Sequence, residues 1–126
     1  MLLNLSNHPS TGWGTAQREA AAAQFGGVED LAFPVIDPEW GAAPVAALAD
    51  DYAGRCVETL RLHEDHPSAV HVMGEMTFTC ALIERLHVRG VRCVASTTER
   101  LVETDAEGRK ITTFRFVRFR DYSAGP

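Results

Sequence analysis

The chain has 126 residues, enough for one domain with a hydrophobic core and too few for two ordinary ones. With 45% apolar and 23% charged residues, and apolar runs well short of the roughly 20 residues of a bilayer-spanning helix, neither disorder nor a membrane partner is expected. The net charge of −5 disfavours long nucleic acid, yet residues 85–126 carry nine Lys or Arg against five acids, which leaves room for a local anion site.

Residues 1–6 read as a short apolar strand without the basic and long apolar regions of a secretion signal, so the expected location is the cytosol. A polar loop from Asn7 and His8 to Gly12 follows. Thr15 is placed to cap an Ala-rich helix over 16–25, which Gly26 and Gly27 stop. Residues 28–33 form a second strand, ending at Pro34. Val45, Leu48, Ala49, Tyr52, Ala53, Cys56, Val57 and Leu60 then fall at the spacing of one buried helical stripe. Residues 69–73 are a short apolar run of the kind found in parallel strands buried on both faces. The run enters Gly74 and a third helix bearing Phe78, Leu82 and Leu86, which ends at Gly90.

Residues 91–95 make the fourth strand, and Ser96, Thr97, Thr98, Glu99 and Arg100 its polar exit. A turn over 105–108 separates 101–104 from 111–122 as a hairpin. The order predicts a single α/β domain over 1–126, a Rossmann-like three-layer sandwich with a mostly parallel sheet and a C-terminal antiparallel hairpin. Cys56, Cys80 and Cys93 lack paired spacing and read as reduced, mostly buried thiols.

In such sheets ligands gather outside the carboxyl ends of the strands. Three exits therefore hold the candidate site: Ser6, Asn7 and His8; Gly74, Glu75 and Thr77; and Thr97, Thr98 and Arg100. Gly74 permits close backbone approach where a helix start offers N–H groups to an anion. Glu75 suits a ribose hydroxyl or a helix dipole, His8 suits acid or base duty, and Arg100 suits a phosphate. Ser6, Thr77, Thr97 and Thr98 also fit plain capping and turn roles. No dinucleotide or triphosphatase motif is present.

Strand alternation puts Phe114, Phe116, Arg118 and Arg120 on one face and Arg115, Val117 and Phe119 on the other, so most of these aromatics are expected in the core. His63, Glu64, Asp65 and His66 are metal-capable but sit at a helix end, away from the strand exits, and read as solvated.

The stretch from Val70 through Gly74 and Glu75, the Gly90 to Arg100 segment and the closing Phe114 to Tyr122 together resemble small CRISPR-associated, CARF-like proteins of the stand-alone ring nuclease group. The likeness covers residues 68–122 well and the first half in topology only. Two departures stand out: Glu75 takes the place of an Asp, and Glu99 that of a basic residue. The resemblance implies a homodimer that binds a cyclic oligoadenylate. It further implies metal-independent cleavage, by attack of a ribose 2′-hydroxyl on the adjacent phosphodiester. Glu75 or His8 would move the proton, Ser6, Asn7, Gly74, Thr77, Thr97, Thr98 and Arg100 would bind the ligand, and no cofactor would be needed. Two other classes fit the same exits: a sensor that binds without chemistry, and an enzyme for another nucleotide or nucleoside.

Overall fold

Two apolar strands make the centre of the sheet. In the computed structural model, which describes residues 1–124, β1 (Leu2–Ser6) and β3 (Ala69–Met73) pair in parallel from Leu2 opposite Ala69 to Ser6 opposite Met73. β2 (Val28–Asp30) joins the other edge of β1, also in parallel. β4 (Cys93–Thr104) pairs in parallel with β3, and β5 (Lys110–Asp121) closes the sheet antiparallel to β4. The order is β2-β1-β3-β4-β5, so the direction of winding reverses between β1 and β3. The expected fold, a Rossmann-like mostly parallel sheet with an antiparallel C-terminal pair, is the one observed.

Alternate residues of the central strands feed two cores. Leu3, Leu5, Val70, Val72 and Cys93 pack under α2 (Ala42–Arg61) and α3 (Met76–Val88). Leu2, Ala69, Val94 and Phe119 pack under α1 (Thr15–Phe25) and Trp13. Gly26 ends α1 in the left-handed region, at φ 80°, and its N–H reaches Ala22 O. Gly14, not the expected Thr15, holds the N-cap position of α1, and no side chain bonds there. Among the described residues no helix is long and apolar enough to cross a membrane.

Two expectations are corrected. Residues 96–100 are not a loop: β4 runs unbroken from Cys93 to Thr104. Its pairing with β3 stops at Val94 opposite His71, whereas its pairing with β5 continues to Thr104 opposite Lys110. The two strands thus leave the sheet as a long arm, and Thr97, Thr98 and Arg100 lie on it. The arm is exposed on both faces for most of its length, and its 96–100 stretch carries no apolar residue to mark a strand, whereas the expected hairpin of 101–104 with 111–122 is present. The second correction concerns the arm's faces. Thr97 pairs with Arg118 but Thr98 with Phe116, which leaves Val117 as an extra residue in β5. This bulge shifts the alternation by one. Phe116 and Phe119, assigned to opposite faces, therefore lie together with ring centroids 5.0 Å apart. Phe119 is buried and Phe116 partly so, while Phe114 is 69% exposed.

Burial pushes the Cys56 and Cys93 thiols up to about 12, which keeps them inert. Cys80 is exposed, against the expectation of burial.

Candidate functional site

The register of the parallel strands places three polar residues side by side. Asp30 on β2 neighbours Asn4 on β1, which neighbours His71 on β3. Two residues beyond Val94, the β4 neighbour of His71, comes Ser96. Their side chains join in a row. Asn4 Nδ2 donates to Asp30 Oδ1 at 2.8 Å and to the His8 carbonyl at 2.9 Å. Asn4 Oδ1 accepts from Ser6 Oγ at 2.8 Å and meets His71 Nδ1 at 2.8 Å. His71 Nε2 lies 3.1 Å from Ser96 Oγ.

The chemistry of the donors fixes the protons. An amide oxygen only accepts, so His71 Nδ1 carries the hydrogen and Nε2 presents its lone pair to Ser96. Burial first, and the charge of His8 second, hold the imidazole well below its ordinary value, at about 4. His71 is therefore neutral at physiological pH. Trp13 packs edge-on at 5.3 Å from the imidazole and Phe119 at 5.7 Å, so the ring is clamped as well as bonded. Asp30 is held below the usual carboxylate range: burial would raise it, but bonds from Asn4 and Ser10 outweigh that. Ser10 donates from both its N–H and its hydroxyl to Asp30, and this ties the loop after β1 to the end of β2.

At the Asp30 and Asn4 end of this row opens a cleft of 480 Å³ whose lining includes Asn4, Ser6, Asn7, Asp30, Leu31 and Phe33, while His71 and Ser96 do not line it. It lies at the carboxyl ends of β1 and β2, next to the point where the winding reverses, the usual ligand position in an open α/β sheet.

The expected site residues fall into two groups. Ser6, Asn7 and Gly74 come together at adjacent strand ends, where Asn7 N–H donates to Met73 O at 3.1 Å. Ser6 is buried and occupied within the row, and its hydroxyl also lies 3.1 Å from the His8 carbonyl. His8 is exposed, and its backbone carbonyl accepts from Asn4 Nδ2 and Trp13 Nε1 beside the Ser6 hydroxyl, whose one proton goes to Asn4 Oδ1. Thr97, Thr98 and Arg100 form the second group, on the arm. Arg100 lies four residues past Ser96 on the same face, about 13 Å farther out at strand rise.

The helix start differs from expectation in two respects. A Cβ on Gly74 would sit 2.3 Å from the Phe33 ring, so the close approach that this glycine permits is made by Phe33. The N–H groups expected to be free for an anion are taken by Glu75. Its carboxylate accepts from Thr77 N at 3.0 Å, Phe78 N at 2.8 Å and the Thr77 hydroxyl at 2.7 Å. The bonds from Phe78 and Thr77 hold that carboxyl below its ordinary value. Glu75→Gln retains one of the two acceptor oxygens. It is expected to lower the melting temperature while leaving the circular dichroism spectrum intact, and an unchanged melting temperature would make the cap idle.

Asp30, Asn4 and His71 are what an inspection of strand exits misses, and the Ser96 of the inspected fourth exit joins them in the row. Its signal lies in the sequence all the same: Leu2-Leu3-Asn4-Leu5 and Ala69-Val70-His71-Val72 each carry one strongly polar residue at the third position of an apolar strand. Among the described residues no group of three or more His, Cys, Asp or Glu is placed to hold a metal ion. His63, one of the metal-capable residues, pairs instead with Glu29 at 3.3 Å.

The matches to known proteins bear on the whole of this unit. A family model described as "Uncharacterized protein MJ1673 family" matches residues 1–120. The chain belongs to the MJ1673 family. The matched span runs from β1 to the penultimate residue of β5, so the family unit includes the arm as well as the sheet that carries the polar row. No curated protein and no solved structure matches this MJ1673 family member.

Proposed function

We propose that this protein binds a cyclic oligoadenylate as a homodimer and opens the ring by attack of a ribose 2′-hydroxyl on the neighbouring phosphodiester. The observation that carries the reading is the hydrogen-bonded polar row, buried at Asn4, Ser6 and His71, whose Asp30 end lies under a cleft at the reversal of winding. Buried polar groups cost free energy unless satisfied, and a row of them at a strand-end cleft serves a ligand's polar groups better than it serves the core. In this reading Ser6, Asn7 and the cleft hold base and ribose, Thr97 and Thr98 flank the ring, and Arg100 reaches a phosphate. The departures at Glu75 and Glu99 from the ring nuclease pattern fit the structure locally: Glu75 caps α3, and Glu99 pairs with Arg115.

A homodimer is supported by the arm. An isolated two-stranded ribbon is marginal in water, and this one exposes Val102, Ile111, Phe114 and Val117. A second copy crossing the Arg100 side would cover Val102 and Phe114 and bring a second Arg100 to the ligand. A binding module without turnover is the rival reading, and the full engagement of Glu75 as a cap favours it.

Titration with cyclic tetra-adenylate and cyclic hexa-adenylate, with light scattering, tests the proposal. A monomer that binds neither ring overturns it, while an intact bound ring selects the module. Within the reading, Arg100→Ala is expected to weaken binding by about 2 kcal/mol. Arg115→Ala should change it little, because Arg115 is paired with Glu99, whereas Arg100 makes no ion pair among the described residues. Equal losses in calorimetry would remove Arg100 from the site.

A further inference from the structure

His71 is a base with its proton position fixed, aimed at a hydroxyl. Its Nδ1–H is held by Asn4 Oδ1, which is itself fixed by Ser6, while Asn4 Nδ2 is held by Asp30. That leaves Nε2 free to accept from Ser96 Oγ at 3.1 Å. A hydroxyl, an imidazole and a third group that orients the imidazole form the arrangement by which a weak hydroxyl is made to give up its proton. Ser96 is half-buried, whereas Asn4 and His71 beside it are buried. β4 parts from β3 just before it, and on that flank its N–H and hydroxyl meet only the soft sulfur of Met73, at 3.4 and 3.2 Å. The Val117 bulge lies one pair further along, and bulges of this kind re-aim side chains beside active sites. Ser6, at the end of β1, is about 10 Å from Ser96 at two strand spacings, so one ligand can touch both.

We propose that Ser96 is the catalytic hydroxyl of this site, with His71 as the base behind it and Asn4 as the positioning residue. The inference rests on the ribose phosphodiester reading given above. In the step, the substrate O2′–H bonds to Ser96 Oγ and passes its proton there as Ser96 Oγ–H passes to His71 Nε2. The O2′–P bond forms and the P–O5′ bond breaks. The leaving O5′ then takes the proton back from His71 through Ser96. The products are a 2′,3′-cyclic phosphate and a 5′-hydroxyl, with no water, oxidant or other reactant consumed.

The test follows single turnover of two probes, cyclic tetra-adenylate and the linear dinucleotide adenylyl-(3′→5′)-adenosine, by the wild-type chain, Ser96→Ala and Ser96→Thr. Ser96→Ala removes one half-buried hydroxyl, and circular dichroism checks that the fold is kept. The expected result is a rate about 100-fold lower for Ser96→Ala with unchanged affinity, and recovery by Ser96→Thr, which restores a hydroxyl. A structural role would not produce that split. Cleavage by Ser96→Ala at the wild-type rate overturns the proposal. So does a wild-type chain that binds the ring but cleaves neither probe, although ring binding then stands. Ser96-dependent cleavage of the dinucleotide by a chain that ignores the ring keeps the inference and removes the cyclic ligand. A chain that neither binds nor cleaves either probe overturns both.

Discussion

Acidification from pH 7 to pH 4 is expected to remove about 3 kcal/mol of stability through His71 alone. The imidazole takes up a proton near pH 6.5 in the unfolded chain and only at about 4 when folded. Between those values the unfolded state binds more protons, so stability is whole above pH 6.5 and falls steadily as the pH drops toward 4. Asp30, Glu75 and Asp121, whose carboxyls are lowered, add their losses at the acid end of that window, below about pH 4. His71→Gln separates the two effects, since it keeps a polar side chain facing Asn4 and Ser96 but cannot titrate. Urea denaturation at half-unit pH steps should show a shallower slope between pH 6.5 and 4 for the variant. Parallel slopes would mean that the imidazole is not desolvated.

A larger loss is expected from Phe78→Ala, about 4 kcal/mol, near the middle of the range for emptying a fully buried ring site. Phe78 is wholly buried on the first turns of α3. It meets Phe33 and Tyr52 edge-on, with centroids at 5.3 and 5.6 Å. Phe33 in turn occupies the space left by the missing side chain of Gly74. The cavity would therefore open beneath the segment that covers the strand ends as well as between sheet and helix. Chemical denaturation should show the loss, and Phe33→Leu, which shortens the same contact from the other side, should lose less. A cost below about 1 kcal/mol for Phe78→Ala would show that the site collapses freely.

How far the sequence reveals this molecule depends on where burial writes a pattern. The stripe from Val45 to Leu60 and the apolar runs of β1 and β3 are written by the two cores, and the parallel order follows from their alternation with helices. Residues 96–100 are all polar and half-buried to exposed, so Ser96 to Arg100 read as a loop although Thr97 and Thr98 suit a strand. The Val117 bulge is a single unpaired residue with no compositional mark. Glu75 was open to two readings, and its position two and three residues before the Thr77 and Phe78 N–H groups that it binds decides for the cap. The polar row needs register as well as sequence: Asn4 and His71 each look like an isolated polar residue until the pairing of β1 with β3 makes them neighbours.

The bulge also sets a rule of phase for the arm. Val117 is the one residue of β5 in the arm without a partner on β4, so the distal residues take their aim from the pairing of Thr98 with Phe116 and not from Val117 itself. Deleting Val117 would leave Thr97 opposite Arg118 and Thr98 opposite Phe116, so the ladder becomes regular while Phe114 and Phe116 keep their side of the ribbon. Deleting one paired residue between Thr112 and Phe116 would instead turn the residues beyond it to the opposite side. Length variation among the paired residues of the arm should therefore be tolerated in steps of two and resisted in steps of one, with the bulge the single place where one residue can be lost, so that the ribbon behaves as a ruler graduated in pairs.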